Sequence, residues 1–576
     1  MKKAGILKSA AITAIVLACA TGARADAQTD CDREDGPPDQ AIIACSQVIK
    51  ADSRAAWAYF KRGDAYQFKD ELDRAIADFD KAIALDPKFA LAYNNRGVAY
   101  QFKRDHDRAI ADFDKTIAII DPKDVVASAA HFNRGNSYQA KGELDRAIAD
   151  FDEAIAVDPK HFDAYYDRGN ANRLKGELDR AIADYDKAIA LNPKFALAYH
   201  NRGVAYKAKG ELDRAIADYD KAIALDPKDA GAYENRGRAY KEKGELDRAI
   251  TDYDKVIALD PKDADPYSLR GNVYLAKGEL DRAIADYDKA IALDPKNDSA
   301  YHNRGLAYKR KGELDRAIAD FDKAIALDPK DSSAYTLRGM TYKSKCDLDR
   351  AIADYDKAIA LNPKDDSAYL DRGLAHASRG ELDSAIADYD NALALDPNDA
   401  TRYVVRGGAH YLKGDLDRAI ADYGKALELE PRNGNAWALL GVAHYDASDF
   451  KSASADLLRS MEIDEDANTV LYRFLARSRT GEAAEAELEA NAGRLKTREW
   501  PFAVTELYLG KRSPAATLAA ATPEQTCGAQ FYIGQWHVVK GNRADAETAL
   551  QAAVDTCPKS AGEYRAAVAE LKRLKP

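Results

Sequence analysis

The sequence predicts an all-α solenoid of stacked antiparallel helix pairs. An Arg-Gly pair recurs along most of the chain, and its glycines are 34 residues apart except for one step of 38, from Gly97 to Gly135. Within each period, apolar residues follow the spacing of two amphipathic helices, and Gly and Pro separate the helices. A period of this length is typical of architectures in which each unit buries its apolar faces against its neighbours.

Residues 298–331 illustrate how each period is assigned to two helices. Gly312 is expected to end the first helix and Pro329 the second. Asp315 is expected to cap the second helix, and Asp331 the first helix of the next period. In the 38-residue step, we expect one extra residue late in a helix and the others in the following loop. The apolar positions are Tyr301, Gly305 and Tyr308 in the first helix and Ala317, Ile318, Phe321, Ala324 and Ile325 in the second.

The first 25 residues differ from the rest of the chain. Lys2, Lys3 and Lys8 precede an apolar run that is too short to span a bilayer comfortably, and an Ala-x-Ala site ends at Ala25. This pattern indicates a secretory signal peptide, and hence a periplasmic or secreted protein. The alternative is a lipoprotein anchored to the membrane through Cys19, because "VLAC" resembles a lipobox.

Export also makes the cysteines interpretable. Cys31 and Cys45 lie close together near the mature N-terminus, and Cys527 and Cys557 lie near the C-terminus. Two local disulfides, with Cys346 as a free thiol, fit an oxidising compartment.

Five segments follow from these patterns. Residues 1–25 are the signal peptide, 26–55 an N-terminal cap containing a half repeat, and 56–433 eleven units of about 34 residues. Residues 434–526 are expected to form degenerate helical repeats, and 527–576 a final unit with a capping helix.

The repeat resembles the tetratricopeptide repeat. Tyr301, Gly305, Tyr308, Ala317, Phe321, Ala324 and Pro329 all fall where that motif has its characteristic residues. The resemblance covers the eleven units and implies a right-handed superhelix. The arginine before each glycine is a departure, since the family more often has Leu there, although it is shared with bacterial "NRG…Y" versions.

In that family, ligands usually lie in a concave groove lined by first helices. The resemblance places the groove residues three before and one, four and five after each glycine, with their neighbours. Their character changes along the chain, which would suit an extended polypeptide. The early units supply Phe60, Phe68, Phe102, Phe132 and Tyr166, the middle units Lys207, Arg238, Lys241, Lys309, Arg310 and Lys343, and the late units Leu370, Leu374, Val404 and Leu412.

Asparagines two residues before the glycine resemble the ladder with which some long tetratricopeptide superhelices hold a peptide backbone. An amide side chain can donate and accept at once, which suits binding of any sequence. A purely structural role is the alternative. The asparagines concerned are Asn95, Asn133, Asn201, Asn235 and Asn303. The lysine- and arginine-rich clamp of chaperone-tail adaptors is absent from these positions.

The sequence contains no recognisable catalytic, phosphate-binding or Cys-x-x-Cys motif, so we expect no enzyme activity, cofactor or metal. His376, His410 and His444 replace an aromatic residue in successive units, and they are interpreted as packing residues rather than as a metal site or pH sensor. Tyr219, Tyr253 and Tyr287 are interpreted as core.

The arginine before each glycine and an aspartate early in each second helix are interpreted as structural. Arg316 precedes Asp320 by four residues, a spacing that allows an ion pair within one helix. Whether the free thiol of Cys346 has a role stays open.

These observations predict an exported, non-catalytic scaffold that binds other proteins or extended peptides. The net charge of −11 argues against nucleic acid as a partner, and a membrane contact is expected only if Cys19 is lipidated. The alternative function is an envelope or polysaccharide assembly factor whose groove binds carbohydrate. An enzyme within residues 480–526 is a remote third possibility.

Overall fold

The computed structural model describes residues 28–33, 36–464, 466–495, 498–559 and 561–575. These residues form helices joined by short turns and contain no strand. The predicted signal peptide and Cys19 lie outside this part of the chain. Two compact units, Met1–Glu279 and Leu280–Pro576, are described separately below.

The first unit contains a short helical segment at residues 28–32 and then fourteen helices among its described residues. Each even-numbered helix from α2 onward is the first helix of a repeat, and the next odd-numbered helix is the second. The helices are α1 (Pro38–Ala51), α2 (Ala56–Phe68), α3 (Leu72–Leu85), α4 (Ala90–Phe102), α5 (His106–Ile119), α6 (Val125–Ala140), α7 (Leu144–Val157), α8 (Phe162–Leu174), α9 (Leu178–Leu191), α10 (Ala196–Ala208), α11 (Leu212–Leu225), α12 (Ala230–Glu242), α13 (Leu246–Leu259) and α14 (Asp265–Lys277).

The second unit continues the alternation, and α27, α28 and α29 are shorter, with 10, 7 and 6 residues. They are α15 (Leu280–Leu293), α16 (Asp298–Lys311), α17 (Leu314–Leu327), α18 (Ser332–Ser344), α19 (Leu348–Leu361), α20 (Asp366–Ser378), α21 (Leu382–Leu395), α22 (Ala400–Lys413), α23 (Leu416–Leu429), α24 (Gly434–Asp446), α25 (Phe450–Ile463), α26 (Ala467–Arg479), α27 (Glu485–Arg494), α28 (Phe502–Tyr508), α29 (Pro514–Ala519), α30 (Thr526–Val539), α31 (Arg543–Thr556) and α32 (Gly562–Leu574).

Within each unit, a first helix packs against the second helix of its own repeat, and that second helix packs against the first helix of the next repeat. Small residues allow the helices to approach closely. A Cβ added to Gly305 would lie 2.8 Å from Cε1 of Phe321, so only glycine fits at that contact. Tyr219, Tyr253 and Tyr287 are fully buried, which confirms that they are core residues.

The helix ends agree with the sequence prediction except at the start of the second helices. Gly312 ends α16 in the left-handed conformation, and Asp331 accepts hydrogen bonds from the backbone of Ser333 and Ala334 at the start of α18. The expected capping role of Asp315 is wrong. Glu313 occupies the cap position without a side-chain hydrogen bond, and the Asp315 carboxylate instead bonds Lys345 of the next repeat.

The extra residues of the 38-residue step also lie elsewhere than expected. Helix α5 has 14 residues like the other second helices, so none is added late in that helix. The loop before α6 is one residue longer than usual, and α6 itself has 16 residues where neighbouring first helices have 13. The insertion therefore mainly extends a first helix at its N-terminus, where Ser128 bonds the Ala154 carbonyl oxygen at 2.8 Å.

Both predicted cysteine pairs are disulfide-bonded. Cys31, which precedes α1, is bonded to Cys45 within α1. Cys527, near the start of α30, is bonded to Cys557 just after α31. Cys346 is free and exposed in the turn between α18 and α19. No described helix is both long and apolar enough to cross a bilayer.

Candidate interaction surface

A single arginine in each repeat ties two repeats together. Arg304 donates bidentate hydrogen bonds of 2.8 and 2.7 Å to Asp320, a buried carboxylate in the second helix of its own repeat. Its remaining nitrogen reaches Asp288, in the second helix of the preceding repeat. The hydrogen bond to Asp320 raises the pKa of Arg304 against the opposing effect of burial. Equivalent two-repeat bonds are made by Arg96, Arg134, Arg168, Arg202 and Arg236 in the first unit and by Arg338, Arg372 and Arg406 in the second.

This geometry confirms the structural interpretation of the arginines but not the suggested pair within one helix. Arg316 does not bond Asp320. It bonds Glu313 at 2.6 Å and the Tyr308 hydroxyl, and its guanidinium lies 4.0 Å from the centre of the Tyr308 ring. Asp320 points into the repeat, toward the first helix, while Arg316 lies on an exposed surface.

A second row of ion pairs links successive repeats through the lysine of the "KG" turn. Lys209 bonds Asp179 of the preceding repeat at 2.7 Å and also Glu211 of its own turn. The same contact recurs as Lys141–Asp107, Lys175–Asp145, Lys243–Asp213 and Lys277–Asp247 in the first unit and as Lys311–Asp281, Lys345–Asp315, Arg379–Asp349 and Lys413–Asp383 in the second. The charges of the repeated second-helix sequence are therefore used mainly in stacking.

Helix α1, which lies in the segment predicted as a half repeat, starts both rows. Ser46 accepts a hydrogen bond from Arg62 at 2.9 Å, in the position where later repeats have an aspartate. Asp39 pairs with Lys69 as the turn-lysine partner. The N-terminal segment thus presents the same stacking surface as a complete second helix.

The predicted groove residues lie on a surface that we call the first-helix face. It consists of the side chains three and two residues before, and one, four and five residues after, each Arg-Gly glycine. Adjacent first helices meet along this face: Lys207 reaches Glu242, Lys309 reaches Met340, and Lys343 reaches Asp371, each pair in consecutive repeats.

Three of the predicted residues, Phe60, Phe132 and Asn133, belong to the core instead. Phe60 is only 8% exposed and packs between Phe79 and Phe89, with ring centres 6.0 and 4.9 Å away. Its apolar ring fills the space between its own second helix and the loop that starts the next repeat. Asn133 is buried and donates to Asn94 at 3.4 Å.

The remaining asparagines of the predicted ladder lie half-buried on the first-helix face. The Asn95 amide donates to Asp64 at 2.6 Å, and the Asn201 amide donates to Tyr166 and Asn170, both at 2.8 Å. Asn235 lies 3.2 Å from Nε2 of His200. These bonds join neighbouring first helices to one another, as the structural alternative requires.

Other predicted residues keep part of their surface open. Tyr166 and Phe102 are half-buried, and Phe102 packs against the Val98 cluster. Asn303 lines a shallow depression of about 230 Å³ together with His302 and Asp331. The six predicted cations also lie on this face, and Arg238, Lys241 and Arg310 are exposed.

Asp64 is an unusual carboxylate on the face of α2. Burial raises its pKa to about 7, although the hydrogen bond from Asn95 and the positive charge of Lys61 act in the opposite direction. Sequence reasoning missed this residue, because the position is held by different residue types in other repeats and the burial comes from the neighbouring helix.

The chain covers part of its own first-helix face near the C-terminus. Arg565 of α32 lies over the Tyr411 ring at 4.9 Å and donates to the Leu412 carbonyl oxygen at 3.4 Å. Further along α32, Arg573 bonds Ser448 at 2.9 Å, and the fully buried Glu570 bonds Arg479 at 2.7 Å. Leu412, predicted as part of an open apolar end, is thus beside the terminal helix.

Arg402 is a second residue that the sequence reasoning missed. It occupies a position where other repeats have a small residue, and it is 6% exposed. Its guanidinium bonds Asp366 of the preceding repeat and the carbonyl oxygen of Ala392 at 3.2 Å. The sequence does carry a signal for this residue, because Arg402 is a charged residue at a repeat position where nearly all other repeats have alanine.

The histidines make separate local contacts. His376 bonds Glu381 and His444 bonds Asp456, both at 2.6 Å, while burial lowers the pKa of His410. Within the described ranges, no group of three or more His, Cys, Asp or Glu side chains is arranged to hold a metal ion.

Protein-family models for the tetratricopeptide repeat match the chain along most of its helical part. A model described as "TPR repeat" matches residues 68–102, 205–244, 237–278, 271–312 and 407–448. Models described as "Tetratricopeptide repeat" match residues 90–120, 132–194, 184–217, 299–331 and 339–409. A comparison with curated proteins gave no match.

Solved structures similar to this chain include YrrB, described as "a TPR protein with an unusual peptide-binding site", at 29% identity over 32% of this chain and 95% of that chain, with a TM-score of 0.28. MamA is 31% identical over 29% of this chain and 92% of its own, with a TM-score of 0.28. The APC/C complex Cut9–Hcn1 is 17% identical over 79% of this chain and 95% of that chain, with a TM-score of 0.35.

The arginine-marked helix pairs, their 34-residue period and the family-model matches together show that the chain belongs to the tetratricopeptide repeat family.

Proposed function

We propose that this protein is an exported, non-catalytic scaffold that holds a segment of another protein on its first-helix face. The observation that carries the proposal is the contrast between the two helices of the repeat. Helices α9, α11, α15 and α19 have identical sequences, and their charged side chains are engaged largely in stacking. The first helices all differ, and they differ chiefly at half-exposed positions of the face.

Export is supported by the N-terminal sequence pattern and by the two disulfides, which are typical of proteins in oxidising compartments. Mass spectrometry of the mature N-terminus tests it. Cleavage after Ala25 is expected, and a lipidated Cys19 would indicate a membrane-anchored form instead.

Site-specific crosslinking tests the binding surface. A photoreactive amino acid replaces Leu174 on the first-helix face, which is 56% exposed, or the matched control Leu225 at the end of a second helix, which is 40% exposed. The proposal expects a partner captured from the extracytoplasmic fraction at position 174 and none at 225. Equal capture at both positions, or none at 174, would reject the first-helix face of α8 as a contact.

Protease treatment of the captured material distinguishes the two ligand classes. A crosslinked adduct that shrinks on digestion is protein, as proposed here. An adduct that resists protease and is removed by glycosidases would support the carbohydrate alternative.

A further inference from the structure

The cations of the first-helix face differ in what neutralises them. In the first unit, Lys207 pairs with Glu242 at 2.9 Å and Arg238 pairs with Glu234 at 2.7 Å. In the second unit, Lys343 pairs with Asp371 at 2.6 Å. Among the described residues, no carboxylate forms an ion pair with Lys309, and its Nζ instead contacts Sδ of Met340, at 3.9 Å.

The contact with Met340 does not replace the water that the Lys309 ammonium loses through burial. The side chain is half-buried, and burial lowers its pKa; Asp371 opposes the effect, while Lys343 and Arg310 add to it. A thioether sulfur is a weak acceptor, so the ammonium has lost part of its hydration without gaining a strong partner. An anion placed beside Lys309 would supply the missing partner.

Apolar side chains lie on the same first-helix face as this ammonium. Leu306, Met340 and Leu374 occupy the position one residue after the glycine in α16, α18 and α20, and all three are half-buried. A free inorganic anion would leave them exposed to water. A polypeptide with both acidic and apolar side chains would cover them and also reach Lys309.

We propose that the first-helix face of α16, α18 and α20 binds an acidic segment of a partner protein, with an aspartate or glutamate carboxylate of that segment bonded to Lys309. Arg310 adds positive charge beside it, while Lys343 is already paired with Asp371. The inference rests on the proposed function of the face and adds the chemistry of the partner.

Peptide binding to the full chain tests the inference. The probe is a synthetic peptide in which glutamates alternate with serines that are flanked by leucines, and its C-terminus is amidated. Its counterpart has a glutamine in place of each glutamate. Fluorescence anisotropy is expected to show at least about tenfold tighter binding of the glutamate peptide, with the difference shrinking as salt is raised. Equal affinities for the two peptides would overturn the inference.

Lys309→Met separates a local bond from bulk charge. The expected result is about a tenfold loss of affinity for the glutamate peptide and none for the glutamine peptide. The matched control is Lys323→Met, which removes the same charge from an exposed position on the second helix α17 of the same unit. Equal losses in the two variants would show that only net charge matters, and would reject Lys309 as the contact.

Lysine acylation of the unaltered protein provides a measurement that needs no variant. The glutamate peptide is expected to slow acylation of Lys309 severalfold while leaving Lys323 unchanged, as read by mass spectrometry. Unchanged labelling of Lys309 at saturating peptide would overturn the inference. Partner capture at Leu174 would then still stand, so failure here is distinguishable from failure of the proposed function.

Discussion

The arginine before each repeat glycine bonds carboxylates in two repeats at once. Its bidentate bond to a buried aspartate of its own repeat fixes the direction of the guanidinium. The third nitrogen then bonds an aspartate of the preceding repeat, which fixes how the two repeats stack. The nearby exposed arginine of the second helix lacks this role, although the sequence spacing alone suggests a pair.

Replacing Arg304 with alanine should therefore lower the free energy of unfolding by about 3 kcal/mol, because Asp320 stays buried without its partner. Arg316→Ala is the matched control: it removes an exposed pair and should cost clearly less stability than Arg304→Ala. Urea denaturation followed by circular dichroism measures both. Similar costs for the two variants would contradict the assigned roles.

Asp64 gives a residue-scale prediction with a defined pH window. Its pKa in the folded protein, about 7, lies above the ordinary value of 3.8, so the folded state holds more protons than the unfolded state between these values. Stability contributed at this site is therefore lost as pH rises through that window. Asp64→Asn keeps an acceptor for Asn95 and removes the buried charge.

The Asp64→Asn variant should melt at a higher temperature than the unaltered protein at about pH 8 and at the same temperature below about pH 3.5. Asp86→Asn, at an exposed turn, is the control and should change little at either pH. A stabilisation of Asp64→Asn that does not depend on pH would show that the carboxylate is not the cause.

Each helix pair depends on one close approach between its two helices. The first helix presents a glycine to the aromatic ring of the second. In most repeats a left-handed glycine follows the first helix, and a proline follows the second. Most of these helices could be predicted from the 34-residue period and from the Gly and Pro residues that separate them. The exceptions are the longer α6 and the start of α17, where Lys345 bonds Asp315, the aspartate that the sequence offers as a cap.

Two glycines of the same repeat test this packing. In Gly407→Ala the added Cβ would lie 2.8 Å from Cε1 of Tyr423, and the variant should lose roughly 1–3 kcal/mol of stability. In Gly424→Ala the Cβ meets open space on α23, and the variant should gain roughly 0.5–1 kcal/mol. Denaturation midpoints that move in the same direction would contradict the packing described.

Across the whole molecule, the repeated sequence and the variable sequence have different tasks. The identical second helices carry the ion pairs that stack one repeat on the next, and the varied first helices carry the half-exposed residues. The sequence predicts this division because the two halves of the period vary to different degrees. It does not predict the contact of α32 with Tyr411, since the residues joined are 154 positions apart, from 411 to 565, and follow no period.

The same limit applies to the candidate site. Position relative to the repeat glycine predicts which residues lie on the first-helix face, but it does not predict which of them are already neutralised. Lys207 and Lys309 are equivalent in the repeat, and only the structure separates them, because one has Glu242 beside it and the other has Met340.

Exchange of whole helices is the most direct test of the central claim that the first helices bind the partner. In one variant, α8, α12, α16, α18 and α20 carry the sequence of α10 at matching positions; in the control, α13 and α17 carry the sequence of α9. Both variants should keep their helical circular dichroism, and capture of the partner should be lost in the first variant and retained in the control. Retained capture in the first variant, or loss in the control alone, would contradict the claim.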